Sequence, residues 1–238
     1  MDDFDLMAPR RHPTAARPLL GLTVLVVEDS RFTCEAIRLL CLRSGARIRR
    51  ADCLASARRH LQVYRPSVII IDLGLPDGSG ADLISEMAAM HPRVSVILGM
   101  SGDDNTESLA LRSGADGFLA KPLTNLAVFQ ESILAHLPAD RQPSGPRTLN
   151  EGEIRPDQIA LHDDLAHAAE MLGDDHDGAV LDYLAQFLGG IARSAEDTQL
   201  EGAANALARS RDHKRAARSD IARLAGLVQD RLSARIAI

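Results

Sequence analysis

The sequence predicts an α/β fold, a five-stranded parallel doubly wound sheet, followed by a smaller all-α domain. Three observations carry this. Between Thr23 and Leu137, short runs rich in Val, Ile and Leu alternate with amphipathic helical stretches, the pattern of a parallel sheet covered on both faces. Pro138–Pro156 then holds four prolines and two glycines with little apolar content, as a linker does. Beyond it, apolar residues recur only at helical spacing. The expected organisation is a flexible arm over residues 1–20, an α/β domain over 21–138, a linker over 139–156 and a helical bundle or hairpin over 157–238.

The elements follow in order. Residues 1–20 carry Pro9, Pro13 and Pro18 among charges without periodicity, hence the arm. Thr23–Val27 is a continuous apolar and β-branched run, as in a strand buried on both faces. Ser30 caps a helix with apolar positions at Phe32, Ala36, Ile37, Leu40 and Cys41, and Gly45 ends it. A short strand at Ala46–Arg50 and a helix at Leu54–Val63 come next. Ser67–Asp72 is a second fully apolar strand closed by a loop from Gly74 to Gly80. A helix at Ala81–Met90, a strand at Val94–Leu98, a helix at Thr106–Ser113, a strand at Asp116–Leu119 and a helix at Asn125–Leu137 complete the set. After the linker, Val180, Leu181, Leu184, Phe187, Leu188 and Ile191 share one helical face. Ile221, Leu224, Leu227, Val228, Leu232 and Ile236 share another, which suits three or four helices.

Composition excludes several classes. Of 238 residues, 45% are hydrophobic and 25% charged, ordinary for a globular protein. No apolar run reaches the roughly 18 residues that span a bilayer, and the start of the chain has no signal-peptide core. Cys34, Cys41 and Cys53 form neither a disulfide framework nor a zinc pattern. Cys34 and Cys41, one heptad apart, are expected in the core of the first helix. A cytoplasmic protein is the expectation. Residues 1–149 balance 17 basic against 17 acidic side chains, residues 150–200 hold 2 against 12, and residues 201–238 hold 8 against 4. Two oppositely charged helical faces could therefore attract each other, within one chain or between two. With no Trp and 3% aromatics, a nucleic-acid footprint is not expected. Only two lysines, Lys121 and Lys214, stand among 27 basic residues.

The chemistry lies at the strand ends. Glu28 and Asp29 follow the first strand and Asp72 ends the third, so in a doubly wound sheet three carboxylates converge at one edge. Like charges so packed require a cation or a proton, and Mg²⁺ accepts such oxygens. Asp72 could then act as a nucleophile toward phosphorus. Ser101 follows the fourth strand and Lys121 the fifth, where a hydroxyl and an ammonium can meet phosphoryl oxygens. Pro122 restricts the backbone of Lys121 to extended conformations.

These pieces are similar to the receiver domain of two-component response regulators. The resemblance is carried by Val26-Val27-Glu28-Asp29-Ser30, Ile70-Ile71-Asp72-Leu73-Gly74-Leu75-Pro76-Asp77-Gly78-Ser79-Gly80, Met100-Ser101-Gly102 and Gly114-Ala115-Asp116-Gly117-Phe118-Leu119-Ala120-Lys121-Pro122. It implies a flavodoxin-like fold over about Leu22–Leu137, with Asp72 as phosphoacceptor and Ser101 as switch hydroxyl. It implies that Glu28, Asp29, Asp72 and the Gly74 backbone carbonyl bind Mg²⁺, that Lys121 binds the phosphoryl group, and that Phe118 turns inward on activation. Gly102 stands where the family often has alanine. The implied partner is a histidine kinase or a histidine-phosphotransfer protein. The protein is not expected to be an enzyme beyond phosphorylating and dephosphorylating itself at Asp72.

The helical segment has no clear family. Leu172-Gly173-Asp174-Asp175 before an apolar helix faintly resembles a histidine-phosphotransfer bundle. His213, however, is followed by Lys214-Arg215-Ala216-Ala217 rather than by Lys-Gly three and four residues on. His162, His167 and His176 lie among Asp163, Asp164 and Asp175 at spacings that fit no ligand set, so solvated helix surface is expected there. The main reading is a phosphorylation-dependent switch acting through protein contacts or a homodimer of the C-terminal helices. The alternatives are a DNA-binding transcriptional regulator and a phosphorelay component with a degenerate phosphotransfer domain. The switched face is expected on the fourth helix, fifth strand and fifth helix.

Overall fold

The computed structural model describes residues 12–145, 153–173, 178–213 and 217–234. Five strands form one parallel sheet: β1 (Thr23–Val27), β2 (Arg47–Ala51), β3 (Val68–Asp72), β4 (Val96–Ser101) and β5 (Gly117–Ala120), in the order β2-β1-β3-β4-β5. Val24 lies beside Val68, Val68 beside Val96 and Asp72 beside Met100, so the C-terminal ends of the central strands form one edge. Every residue of β3 and β4 is buried, which is why both read as unbroken apolar runs rather than as alternation.

Five helices cover the two faces: α1 (Arg31–Ser44), α2 (Leu54–Val63), α3 (Gly80–Ala89), α4 (Glu107–Arg112) and α5 (Leu126–Leu134). On one face Val24, Val26, Ile70 and Leu98 pack with Ile37 and Leu40 of α1 and Phe129 and Ile133 of α5. On the other, Leu25, Ile69, Ile71 and Ile97 pack with Leu54 of α2, Leu83 and Ile84 of α3, and Ala110 of α4. Ser30 caps α1 by accepting from the Thr33 amide at 3.0 Å. Gly45 ends the helix at φ +84°, a conformation that a side chain disfavours.

Some boundaries differ from the sequence expectation. β4 extends to Ser101 because its residues pair with β3 as far as Asp72 and with β5 at Ala120. α5 stops at Leu134, and the next residues tighten into i→i+3 bonds, His136 to Ile133 and Leu137 to Leu134. α4 is short, preceded by a 3₁₀ turn at Asp104–Thr106 that the Asp103 carboxylate caps. Of the arm expected over residues 1–20, residues 1–11 lie outside the described residues. The rest ends in a turn whose Leu19 is fully buried in the α1/α5 core. The expected linker is likewise anchored in part. The Ile154 amide donates to the Thr124 carbonyl at 2.9 Å, and its side chain is buried in the same core.

Four further helices are described: α6 (Gln158–Leu172), α7 (Gly178–Ser194), α8 (Thr198–Asp212) and α9 (Arg218–Ser233). Leu165, Leu184, Leu188, Ile191, Leu207, Leu224 and Val228 are buried among them. Gly189 of α7 faces Ala204 of α8. The acidic and basic stretches do meet within this chain: Arg211 pairs with Asp182, and Arg231 with Asp197, each at 2.8 Å. Ile236 and His176 lie outside the described residues. No helix of the described residues is long and apolar enough to cross a membrane.

Candidate functional site

The edge formed by the C-terminal ends of β1, β3, β4 and β5 holds a cavity of about 820 Å³ lined by Glu28, Asp29, Asp72, Ser101 and Lys121. Sheet geometry alone brings them together. Asp72 is the last residue of β3, Ser101 the last of β4, and Glu28 and Lys121 directly follow β1 and β5. The Lys121 amide donates to the Ser101 carbonyl at 2.9 Å, locking those two strand ends in register.

Glu28 is 1% exposed and Asp72 5% exposed, unusual burial for carboxylates. Lys121 is buried beside them, with Nζ at 2.7 Å from Glu28 Oε2 and 3.3 Å from Asp72 Oδ1. Ligand oxygens of Glu28, Asp29 and Asp72 all lie within 4.8 Å of one another. One ammonium faces three carboxylates, and the titration of Asp72, Asp29 and Lys121 reflects the imbalance. Burial, only partly offset by the Lys121 charge and reinforced by Glu28, pushes Asp72 up to about 7. Burial and the Glu28 charge hold Asp29 well above the usual carboxylate range. Burial alone would lower the Lys121 ammonium, but the charges of Asp72 and Glu28 outweigh it and hold it above its ordinary value.

The surrounding loops hold these groups in place. Both oxygens of Asp77 accept from α2, at the Leu54 and Ala55 amides (2.8 and 2.9 Å), pinning the loop after β3. Gly74–Leu75 and Gly78–Ser79 form a small antiparallel ladder within that loop. At Gly80 a Cβ would stand 1.9 Å from the Asp72 carbonyl oxygen, so only glycine permits α3 to begin this close to the site. Ser101 Oγ accepts from the Asp103 amide at 3.1 Å, leaving its own proton for another acceptor. Phe118 lies outside the cavity. It is half-buried against the α2–α4 core, and a Cβ on Gly99 would lie 3.5 Å from its ring.

The expected residues are thus gathered at one cavity except Phe118, which packs against the apolar core on one face of the sheet. The helical unit adds residues that sequence reasoning missed. Tyr183 of α7 donates its hydroxyl to Asp29 Oδ2, and burial and the Asp29 charge hold that phenol above its ordinary pKa, so it remains a proton donor. Gln186, one turn further on, lies over Gly74: a Cβ there would stand 2.0 Å from its amide nitrogen. Asp164 of α6, expected on solvated surface, is instead 3% exposed. It accepts from Ser30 Oγ at 2.8 Å and from the Arg31 and Phe32 amides at 2.8 and 3.0 Å. The correction has a simple cause: the first amides of α1 have no intrahelical acceptor, and a carboxylate satisfies them. His162 and His167 join no ligand cluster among the described residues. A polar-tipped aromatic beside an apolar helix face was the one cue to Tyr183; nothing in the sequence marked Asp164 apart from Asp163.

Residues 24–132 match the family described as the response regulator receiver domain, and this part of the chain is a receiver domain of that family. Two curated relatives are bacterial. The KDP operon transcriptional regulatory protein KdpE of Escherichia coli (strain K12) is 31% identical over 99 residues, 42% of this chain and 44% of that protein. The transcriptional regulatory protein CitB of Klebsiella pneumoniae is 35% identical over 107 residues, 43% of this chain and 45% of that one. The chain therefore spans less than half the length of these relatives. Among solved structures, the receiver domain of a sensor histidine kinase from Pseudomonas aeruginosa PAO1 is similar, at 24% identity and a TM-score of 0.44. The match covers 48% of this chain and 96% of that one, whose active-site cleft holds a coordinated magnesium ion.

Proposed function

We propose that this chain is a phosphorylation-dependent response regulator that accepts a phosphoryl group on Asp72 from a histidine kinase or histidine-phosphotransfer protein. The observation that carries the reading is a buried carboxylate at a strand end, 3.3 Å from a buried ammonium and beside two further acids. An Asp72 carboxylate oxygen attacks phosphorus in line, the new O–P bond forms as the bond to the donor breaks, and the donor leaves with the electron pair. Lys121 remains charged and pairs with a phosphoryl oxygen, and Ser101 donates its free proton to another. Three oxygen-bearing acids around a single ammonium suit a hard divalent cation. Glu28, Asp29, Asp72 and the Gly74 carbonyl would hold Mg²⁺, which when bound neutralises phosphoryl charge. Phosphorylation then shifts the population toward a state in which Ser101 and the loop after β4 are drawn to Asp72 and Phe118 fills the vacated space. The output is a change in protein contacts or self-association through the helical unit, with no enzymatic role beyond turnover of the phosphoryl group.

The test is incubation of the full chain with acetyl phosphate and Mg²⁺, followed by intact-mass analysis. A gain of one phosphoryl group in the wild type and none in Asp72→Asn is expected; equal labelling of the two would overturn the assignment. Light scattering with and without beryllofluoride reads self-association. A DNA-binding output is the second reading, favoured by the names of the two curated regulators, and it requires retardation of DNA that weakens steeply with salt.

A further inference from the structure

The helical unit does not stand apart from the receiver domain. Its α7 lines the cavity over Asp72, and α6 packs beside it against the start of α1. Three contacts define the seat. Tyr183 donates to the outer oxygen of Asp29, Asp164 accepts from Ser30 Oγ and the first two amides of α1, and Gln186 covers Gly74. Arg31 Nη1 adds an exposed pair with Asp163 at 2.6 Å. Two of the four residues that would hold Mg²⁺, Asp29 and Gly74, lie against this surface. Asp29 has both oxygens engaged, Oδ1 by the Ser30 amide at 3.0 Å and Oδ2 by Tyr183.

Resting on the reading of Asp72, Asp29 and Glu28 given above, we infer that α6 and α7 form a built-in lid whose docking competes with Mg²⁺ for the receiver cleft. Tyr183 is the latch and Asp164 the anchor. A carboxylate oxygen that accepts a phenolic proton has that lone pair directed away from a cation. The phenol takes up lone-pair capacity of Asp29 that a cation would use, so cation binding favours the state in which the phenol has left, and α7 carries both the phenol and the amide over Gly74. The anchor is no ligand of the ion: Asp164 makes no hydrogen bond to the three acids among the described residues, and its bonds to Ser30 and the start of α1 hold α6 in place. Because docking and the cation draw on the same acid, the apparent affinity for Mg²⁺ falls as the docked population rises. The docked lid also leaves only the cavity itself above Asp72. A small acyl phosphate can enter it, whereas a phosphohistidine on a protein surface must first displace α7.

The experiment uses the full chain and Mg²⁺ alone, with affinity measured by calorimetry. Tyr183→Phe, which keeps the ring and removes the donor, is expected to bind Mg²⁺ roughly tenfold more tightly than wild type, the scale of a lost hydrogen bond to a charged group. Asp164→Ala is expected to shift affinity in the same direction although it is no ligand, which a purely local effect on Asp29 would not do. A second measurement needs no variant. Hydrogen exchange at the Arg31 and Phe32 amides of the wild type is expected to accelerate on adding Mg²⁺ with beryllofluoride, because Asp164 leaves them. Equal Mg²⁺ affinity in all three proteins with unchanged exchange would overturn the lid and leave the receiver reading intact. Failure of all three to bind Mg²⁺ would overturn both.

Discussion

The receiver domain and the helical unit solve burial in different ways. In the sheet, β3 and β4 are buried along their whole length and draw stability from two continuous apolar cores. In the helical unit, burial falls on one stripe of each helix. α9 buries only Leu224 and Val228, and its register is set partly by the Arg231–Asp197 pair. The difference teaches where polar residues can be spared for function. The central strands β1, β3 and β4 confine charge to one edge and bury it there at high cost, whereas the helices use theirs along the surface, to bind each other and to bind the receiver. A carboxylate at a strand end is therefore conspicuous, and a carboxylate on a helix surface is not.

The sharpest way to break this comparison is to remove apolar volume from each part. Phe129→Ala, in the α1/α5 core, is expected to destabilise the receiver domain by about 3–5 kcal/mol, read from the midpoint of urea unfolding. Leu188→Ala, fully buried in the helical unit, is expected to cost about 2–5 kcal/mol there. The receiver's near-ultraviolet and exchange signals should stay in place. Loss of both units together in each variant would mean that the interface welds them into one cooperative body.

A smaller effect separates polar from apolar support. Asp197 caps α8 through the Leu200 amide at 3.0 Å and pairs with Arg231. The bond from Arg231, with the Leu200 amide in support, outweighs burial and holds its carboxyl below the ordinary 3.8. A depressed folded-state value means that this stabilisation is fully present above about pH 4 and is lost as pH falls through the folded value. Asp197→Asn is expected to lower stability at neutral pH by about 1 kcal/mol and to flatten the acid limb of the helical unit's melting profile below pH 4. The smallest change is on the outer face of α1, where Glu35→Gln removes an i,i+3 pair with Arg38. It should shift stability by no more than about 0.5 kcal/mol, and a larger loss would show that surface charge matters in the receiver as it does in the helices.

Legibility followed the same division. Strand runs such as Val68–Asp72 and the acids and lysine at their ends were readable, because a parallel sheet forces its C-terminal ends onto one edge whatever the loops do. Strand and helix ends were less so: β4 ran on to Ser101 because its neighbours paired with it, information that no single segment contains. Asp164 and Tyr183 were illegible for a further reason. Their partners lie more than 130 residues away in sequence, and helix periodicity distinguishes inward from outward without saying what the outward face meets. The Asp182–Arg211 and Asp197–Arg231 pairs fall between these cases, foreshadowed by the charge asymmetry but not assignable from it.

The burial of Ile154 in the receiver core has a consequence for how far the lid can travel. With that residue fixed and α6 starting at Gln158, only Arg155, Pro156 and Asp157 remain as a leash, and three extended residues reach about 10 Å. A released lid therefore stays within a small volume around its own seat, at an effective concentration on the order of millimolar or above. Reclosure is then a first-order event, indifferent to dilution, and an external partner must outcompete a neighbour that is never far away.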